Sequence, residues 1–250
     1  PTTAPSDAAL AKVDEAISKG AKDITFAVDK NGNVELSKAA IDKLISKGMN
    51  IVLQGGSIKA TIDLADIKDQ LTKAAKINFV LKEKTGDILQ GDYRKLSNTL
   101  ELKVLADSKE ISISKKLDIK IDLGAAPKDM TNNLKAGVYK KVGSILVYVP
   151  GGHMSKKGIV SFEIDSFGEF VIAEYSKKFD DMSKYQWASD FVEIMAARQI
   201  TTGTGGNNFS PEAQVTRAQF AAFITNALGL EAAGAKATFS DVESGKWYTE

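Results

Sequence analysis

The chain predicts an α+β fold: a mixed α/β start, an antiparallel β-sandwich, and a helix-loop-helix unit at the end. Three observations predict it. In the first 80 residues, apolar positions at helical spacing are interleaved with short β-runs. From about residue 95 to 176, apolar and polar residues alternate with a period of two, as in strands with one face on a core and one in water. Beyond Lys178 the helical period returns on two segments separated by a Gly-rich loop.

The elements follow in order. Residues 1–6 are small and polar and read as a linker. From Asp7 to Ser18, Ala9, Leu10, Val13 and Ile17 share one helical face. Ile24–Val28 is a β-run, and Asp29–Asn33 is a turn. Ser37 opens a second helix carrying Ala40, Ile41, Leu44 and Ile45, and Gly48 stops it. Asn50–Leu53 and Ser57–Ile62 are strands around the hairpin turn at Gly55-Gly56. A third helix is expected over Asp63–Ala75, then a strand at Ile77–Leu81. The clearest alternation is Leu100, Leu102, Val104 and then Leu117, Ile119, Ile121, Leu123. Further strands are expected at Gly137–Val142, Ile145–Val149, Ile159–Ile164 and Phe170–Ala173, with Pro150-Gly-Gly152 as a turn. Residues 7–94 thus form the mixed region and 95–176 the sandwich region, as one domain or two intimately joined.

The terminal unit reads as an amphipathic helix over Trp187–Gln199, with Trp187, Phe191, Ile194 and Met195 on its apolar face. A polar loop spans Thr201–Asn208. Thr216 then caps a second helix, Arg217–Leu228, whose apolar face is Phe220, Phe223, Ile224 and Leu228 and whose terminator is Gly229.

Composition narrows the chemistry. There is no cysteine and one histidine, His153, so disulfides, thiolate nucleophiles, sulfur-ligated metals and His-rich or paired-His sites are excluded. His153, in a Pro-Gly-Gly-His-Met stretch with no nucleophile motif nearby, reads as a surface-loop residue. Asp29-Lys-Asn-Gly-Asn33 lacks the spaced acids and closing Glu of a calcium loop. No catalytic residue, metal or cofactor is expected, and the chain is read as non-enzymatic. No run approaches the ~18 consecutive apolar residues of a membrane helix. The chain opens at Pro1 without a Met or a signal core, so it is expected to be a processed or excised piece. Net charge is +1, but residues 179–250 carry five Lys/Arg against nine Asp/Glu, so the remainder carries +5. Those lysines alternate with acids instead of clustering with Arg and aromatics, which argues against nucleic acid as a partner.

A repeat is visible. Phe179, Asp181 and Trp187 recur as Phe239, Asp241 and Trp247, each 60 residues on. Phe179-Asp-Asp-Met182, Trp187-Ala188, Gln199-Ile-Thr-Thr-Gly203, Phe209-Ser-Pro211 and Val215-Thr-Arg-Ala-Gln-Phe220 follow one another in the order of the S-layer homology repeat, which this segment resembles. The resemblance places one repeat at 177–234 and the head of a second at 235–250. Gln199 stands where that family often has Gly, and Gln219 where it often has Glu. The resemblance implies a helix-loop-helix unit, three of which usually bundle, with grooves that bind secondary cell-wall polysaccharide, often pyruvylated. It implies a secreted protein of the cell wall or S-layer of a Gram-positive-type bacterium. Residues 95–175, through Tyr139, Val147–Gly152, Gly158–Phe162 and Asp165–Ala173, resemble more loosely the β-domains that precede such repeats, which implies a spacer or assembly module.

The candidate carbohydrate-binding residues are Arg217, Asp181, Trp187, Gly203 and Gln219. An Arg in the first turn of a helix, in a chain with three arginines in all, suits a carboxylate ligand. The structural alternative pairs Arg217 with Glu212 or Asp181. Trp187 reads as core or as sugar platform, and Asp181 as a helix cap or as a ligand. Gly203, Gly205 and Gly206 read as backbone-angle residues, because no Gly-Lys-Ser/Thr sequel follows them. Phe209 and Phe220 read as core. Two functions compete: a structural surface protein anchored to wall polysaccharide, or the anchoring tail or carbohydrate-binding module of an extracellular glycoside hydrolase. Exposed strand edges in the β-part would also allow self-association.

Overall fold

The structure is a computed structural model that describes residues 5–56, 58–86, 89, 91–113, 116–128, 130–230, 240–242 and 245–248. It divides into two units, Pro1–Glu174 and Tyr175–Glu250.

The first unit opens with α1 (Pro5–Ser18), β1 (Asp23–Ala27), β2 (Asn33–Ser37), α2 (Lys38–Ser46), β3 (Asn50–Gly55) and β4 (Ile58–Ile62). It continues with α3 (Lys68–Leu71), β5 (Lys76–Lys84), β6 (Tyr93–Lys95), β7 (Thr99–Ala106), β8 (Lys109–Glu110) and β9 (Leu117–Asp122). It closes with β10 (Ala136–Val142), β11 (Ile145–His153), β12 (Ile159–Ile164) and β13 (Gly168–Tyr175).

These strands form two sheets. One has the order β1-β3-β4-β9-β12, and the other β11-β10-β13-β7-β5-β2, with β6 on β13 and β8 on β7. Alternation along each strand turns one row of apolar side chains inward. Ile51, Leu53, Ala60, Ile62, Ile119, Ile121, Val160 and Phe162 of the first sheet share one core with Leu36, Phe79, Leu81, Leu102, Val104, Val138, Phe170 and Ile172 of the second. Each sheet therefore mixes strands from both halves of the unit. β9, for example, lies between β4 and β12, with Ile121 opposite both Ala60 and Val160. The α/β character of the start reduces, among the described residues, to one parallel pair, β1 with β3, and three helices, of which α3 is a single turn. Helices α1 and α2 pack on each other and on β2, burying Val13, Ala40, Ile41 and Leu44.

Several local expectations are corrected. Helix α1 begins at Pro5, two residues before the expected Asp7, and proline suits a first helical turn; residues 1–4 lie outside the described residues. The expected helix at Asp63–Ala75 shrinks to α3, because Asp63 turns its carboxylate onto the Ala65 N–H (2.8 Å). Such a local bond competes with helix formation. At the far end Asp107 captures the N–H groups of Ala75 (3.0 Å) and Lys76 (2.9 Å), drawing the chain into β5. Between the expected turn ending at Asn33 and the helix opening at Ser37, where no element is expected, Asn33–Ser37 forms strand β2, and Ser37 also caps α2. Asp29 accepts from the Asn31 and Asn33 N–H groups and so folds its own turn.

Pro150-Gly-Gly152 is not a turn but an irregular stretch inside β11, where the register jumps from Tyr139↔Tyr148 to Gly137↔His153. β11 is an edge strand, the place where a sheet tolerates proline. Opposite it on β10, Gly137 is needed for space, since a Cβ there would lie 2.7 Å from the Tyr148 ring, while Gly151 takes a left-handed φ of 79°. His153 consequently ends a strand instead of riding on a loop. Ser57, in the β3–β4 connection, lies outside the described residues, as does Phe239.

Candidate carbohydrate-binding site

The second unit begins with a 3-10 turn at Asp180–Met182, followed by α4 (Gln186–Ala197) and α5 (Arg217–Leu228). Its small core is Phe179, Met182, Val192 and Ala196, with Phe209 packed against it. The rings of Phe179 and Phe209 lie 5.7 Å apart.

The loop between the helices is held by the acidic pair that precedes α4. Asp181 accepts from the N–H groups of Phe209 (2.9 Å) and Ser210 (2.7 Å). The Phe209 bond first, and then that of Ser210, hold its carboxyl below the ordinary aspartate value against the opposing effect of burial. Asp181 therefore pins the Phe-Ser-Pro loop and does not cap a helix; neither the 3-10 turn nor α4 has a side-chain cap. Its neighbour Asp180 accepts from Asn207 Nδ2 (2.9 Å), and Asn207 adopts a left-handed φ of 61°. Gly203 has φ 88°, and a Cβ there would come within 2.5 Å of the Asn208 carbonyl and 2.6 Å of the Phe179 ring. Glycine is required at that point by both backbone angle and space.

Helix α5 starts with a capping box. Thr216 Oγ1 accepts from the Gln219 N–H (3.2 Å), and Gln219 Oε1 accepts from the Thr216 N–H (3.0 Å). A side-chain amide oxygen serves here as well as a carboxylate, so Gln in place of Glu leaves the helix start intact. Gly229 closes the helix in the left-handed conformation, φ 61°.

The apolar faces differ from expectation. Trp187 and Phe191 are 79% and 66% exposed, while α4 buries Val192, Ala196 and Ala197 instead. The helix carries apolar residues on two adjoining stripes, and the small-residue stripe fits closer against Phe179 and Met182. Phe220 is also exposed, at 61%, and α5 buries none of its residues. Phe209 is half-buried.

Alongside α5 runs an open groove of about 1710 Å³. Arg217 and Gln219 line it together with Gln199, Gly203, Trp247 and Tyr248, and with Thr201, Thr202, Thr204 and Thr216. Arg217 is 97% exposed and stands 3.9 Å from Asp241. It pairs with neither Glu212, which accepts from the Tyr185 hydroxyl, nor Asp181. Of the five candidate residues, Arg217, Gln219 and Gly203 meet at this groove. Asp181 acts beneath it on the loop, and Trp187 is absent from its lining. The reading of single residues missed Trp247 and Tyr248, whose rings lie 5.3 Å apart. The 60-residue offset that aligns Trp247 with Trp187 was the available signal. A guanidinium beside aromatic rings can bind a carboxylate-bearing sugar, with the cation on the acid and the rings against C–H faces.

Residues 178–221 match the family model of the S-layer homology domain. This segment is an S-layer homology domain. Such domains bind cell-wall polysaccharide, and the chain is accordingly part of a cell-wall-associated surface protein. Over 248 residues, 97% of its length, the chain is 28% identical to an amylopullulanase of Thermoanaerobacterium thermosulfurigenes. It is 41% identical over 70 residues to endo-1,4-beta-xylanase A of Thermoanaerobacterium saccharolyticum, and 49% identical over 51 residues to an S-layer-related protein of Niallia circulans. These matches cover 28% and 20% of the chain. The chain spans 13%, 6% and 3% of the three relatives' own lengths. No helix among the described residues is long and apolar enough to cross a membrane.

Proposed function

We propose that residues 177–250 hold a secreted protein on the secondary cell-wall polysaccharide of a Gram-positive-type bacterium, and that residues 7–176 are a spacer or lattice module without catalysis of their own. The observation that carries this reading is the S-layer homology domain at 178–221, with Arg217 exposed on a groove lined by threonines and by Trp247 and Tyr248. In the proposal Arg217 forks onto an acidic substituent, such as a pyruvate ketal, and the first-turn N–H groups of Arg217 and Ala218, which the capping box leaves aside, add positive potential. Gln219 and Gly203 shape the wall of the groove. Asp181 supports it at one remove, and Trp187 belongs to a second face of the domain.

The alignment along nearly the whole chain with an amylopullulanase favours a second reading of the parent protein: a glycoside hydrolase of which this chain is the connector and tether. The anchoring role is common to both readings. Incubating the full chain with purified wall sacculi tests it. Retention is expected, and it falls at least tenfold with Arg217→Ala or when the polysaccharide is stripped from the peptidoglycan, a loss of about 1.4 kcal/mol or more. Retention indifferent to both changes sinks the ligand role. Incubation with pullulan and xylan separates spacer from enzyme, since release of reducing sugar by this chain alone contradicts the first proposal.

A further inference from the structure

We infer that the first unit is built as a force-bearing joint, in which tension from the wall anchor enters strand β13 and is carried in shear by neighbours on both of its edges. The inference rests on the proposal that residues 177–250 grip the wall. The chain leaves the first unit at the end of β13, and β13 is an interior strand. On one side β10 pairs with it continuously, from Lys141↔Glu169 to Ala136↔Glu174. On the other side β7 takes Gly168, Glu169 and Phe170. Beyond them the Leu96 and Ser97 N–H groups donate to the Ile172 carbonyl (2.9 and 3.1 Å), and Ser97 Oγ accepts from the Ile172 N–H (3.0 Å). A pull along the axis of such a strand loads these bonds together. A pull outward from one end of a strand pair, across the ladder, would instead open the same bonds one at a time.

The last residue of the unit adds a clamp. The Glu174 side chain is 1% exposed and paired with Arg94. It also accepts from the Thr131 hydroxyl, the Thr131 N–H (3.0 Å) and the Asn132 N–H (2.9 Å). Arg94 belongs to β6, and Thr131 and Asn132 to the segment entering β10, so the carboxylate ties the exit point to both flanks. A buried carboxylate with one cationic partner and three further donors is costly to pull free.

The absence of cysteine allows single attachment points. Ser144, exposed in the β10–β11 turn, lies at the opposite end of the ladder from Glu174, so a tether between Ser144→Cys and the C-terminus shears β10 against β13. Leu134, 45% exposed, lies just before Ala136, which faces Glu174, so a tether from Leu134→Cys peels the same pair from its end. In single-molecule pulling of the full chain, the rupture force of the first unit should be about twofold higher through Ser144 than through Leu134, because bonds loaded in parallel must break together. Equal forces, or a higher force through Leu134, overturn the joint. Thr131→Ala, a mild deletion of one clamp contact, should lower the Ser144 force by a larger fraction than the Leu134 force. An equal fractional drop overturns the clamp. No wall is present in this experiment, so failure to bind sacculi rejects the anchor without touching the joint, and the reverse also holds.

Discussion

Three side chains show how similar residue types do different work. Glu174 is a buried carboxylate whose environment pulls both ways: burial raises its proton affinity, while the Thr131 hydroxyl and N–H, Arg94 and the Asn132 N–H together outweigh that and hold it below the ordinary glutamate value of 4.5. A carboxyl lowered in the folded state stabilises fully above its unfolded value and loses that contribution as the pH falls through the folded one. Glu174→Gln should therefore cost about 3 kcal/mol at neutral pH, with the deficit shrinking below pH 4.5. A deficit constant from pH 7 to pH 3 in denaturant titrations would contradict this. Gln219 works through its amide oxygen on the backbone of Thr216. Gln219→Glu should leave the melting of the second unit unchanged, and Gln219→Ala should cost about 1 kcal/mol. Circular dichroism of the two variants checks both. Asp181 was legible as an important acid from its recurrence at Asp241, but its partners, 28 and 29 residues away, were not. Local reading assigns a short polar side chain to the nearest helix end, whereas here the loop returned to it.

Among the elements, those whose signal is local were readable in advance. The faces of α1 and α2, the cap at Ser37, the capped start of α5 at Thr216 and its stop at Gly229 all follow from spacing and turn chemistry within a few residues. The period of two in β7 and β9 likewise marked their half-buried faces. What periodicity cannot supply is the partner: that β9 lies between β4 and β12, or that β2 and β5 extend the sheet of β7, is decided by contacts far apart in sequence. Helix α4 shows a different limit. With apolar residues on two stripes, its period leaves open which stripe faces inward, and the larger side chains were the wrong guide. Trp187→Ala should change stability by less than about 0.5 kcal/mol, as for an exposed position, whereas Val192→Ala should cost about 1–2 kcal/mol through the cavity it leaves. Thermal melts that reverse this order would contradict the packing of α4.

At the level of the whole molecule, a cysteine-free β-sandwich is followed by a small helical unit bearing the family signature of wall attachment. In the sandwich, Lys84 of β5 pairs across strands with Glu169 of β13 (2.6 Å) and Glu101 of β7 (3.2 Å), and the buried Glu174 carboxylate secures the exit of the chain. The second unit leaves Arg217 and the residues Trp247 and Tyr248 on an open groove. The anchoring function was legible because the repeat motif is dense and ordered. The composition of the groove was not, since Trp247 and Tyr248 come from the second copy of the motif and meet α5 only in the folded chain. The most direct test is calorimetric titration of the full chain with purified, solubilised wall polysaccharide at low and high salt. The account predicts saturable binding that weakens as salt screens the exposed guanidinium and that disappears with Arg217→Ala. Binding unchanged by that substitution, or absent at low salt, would contradict it.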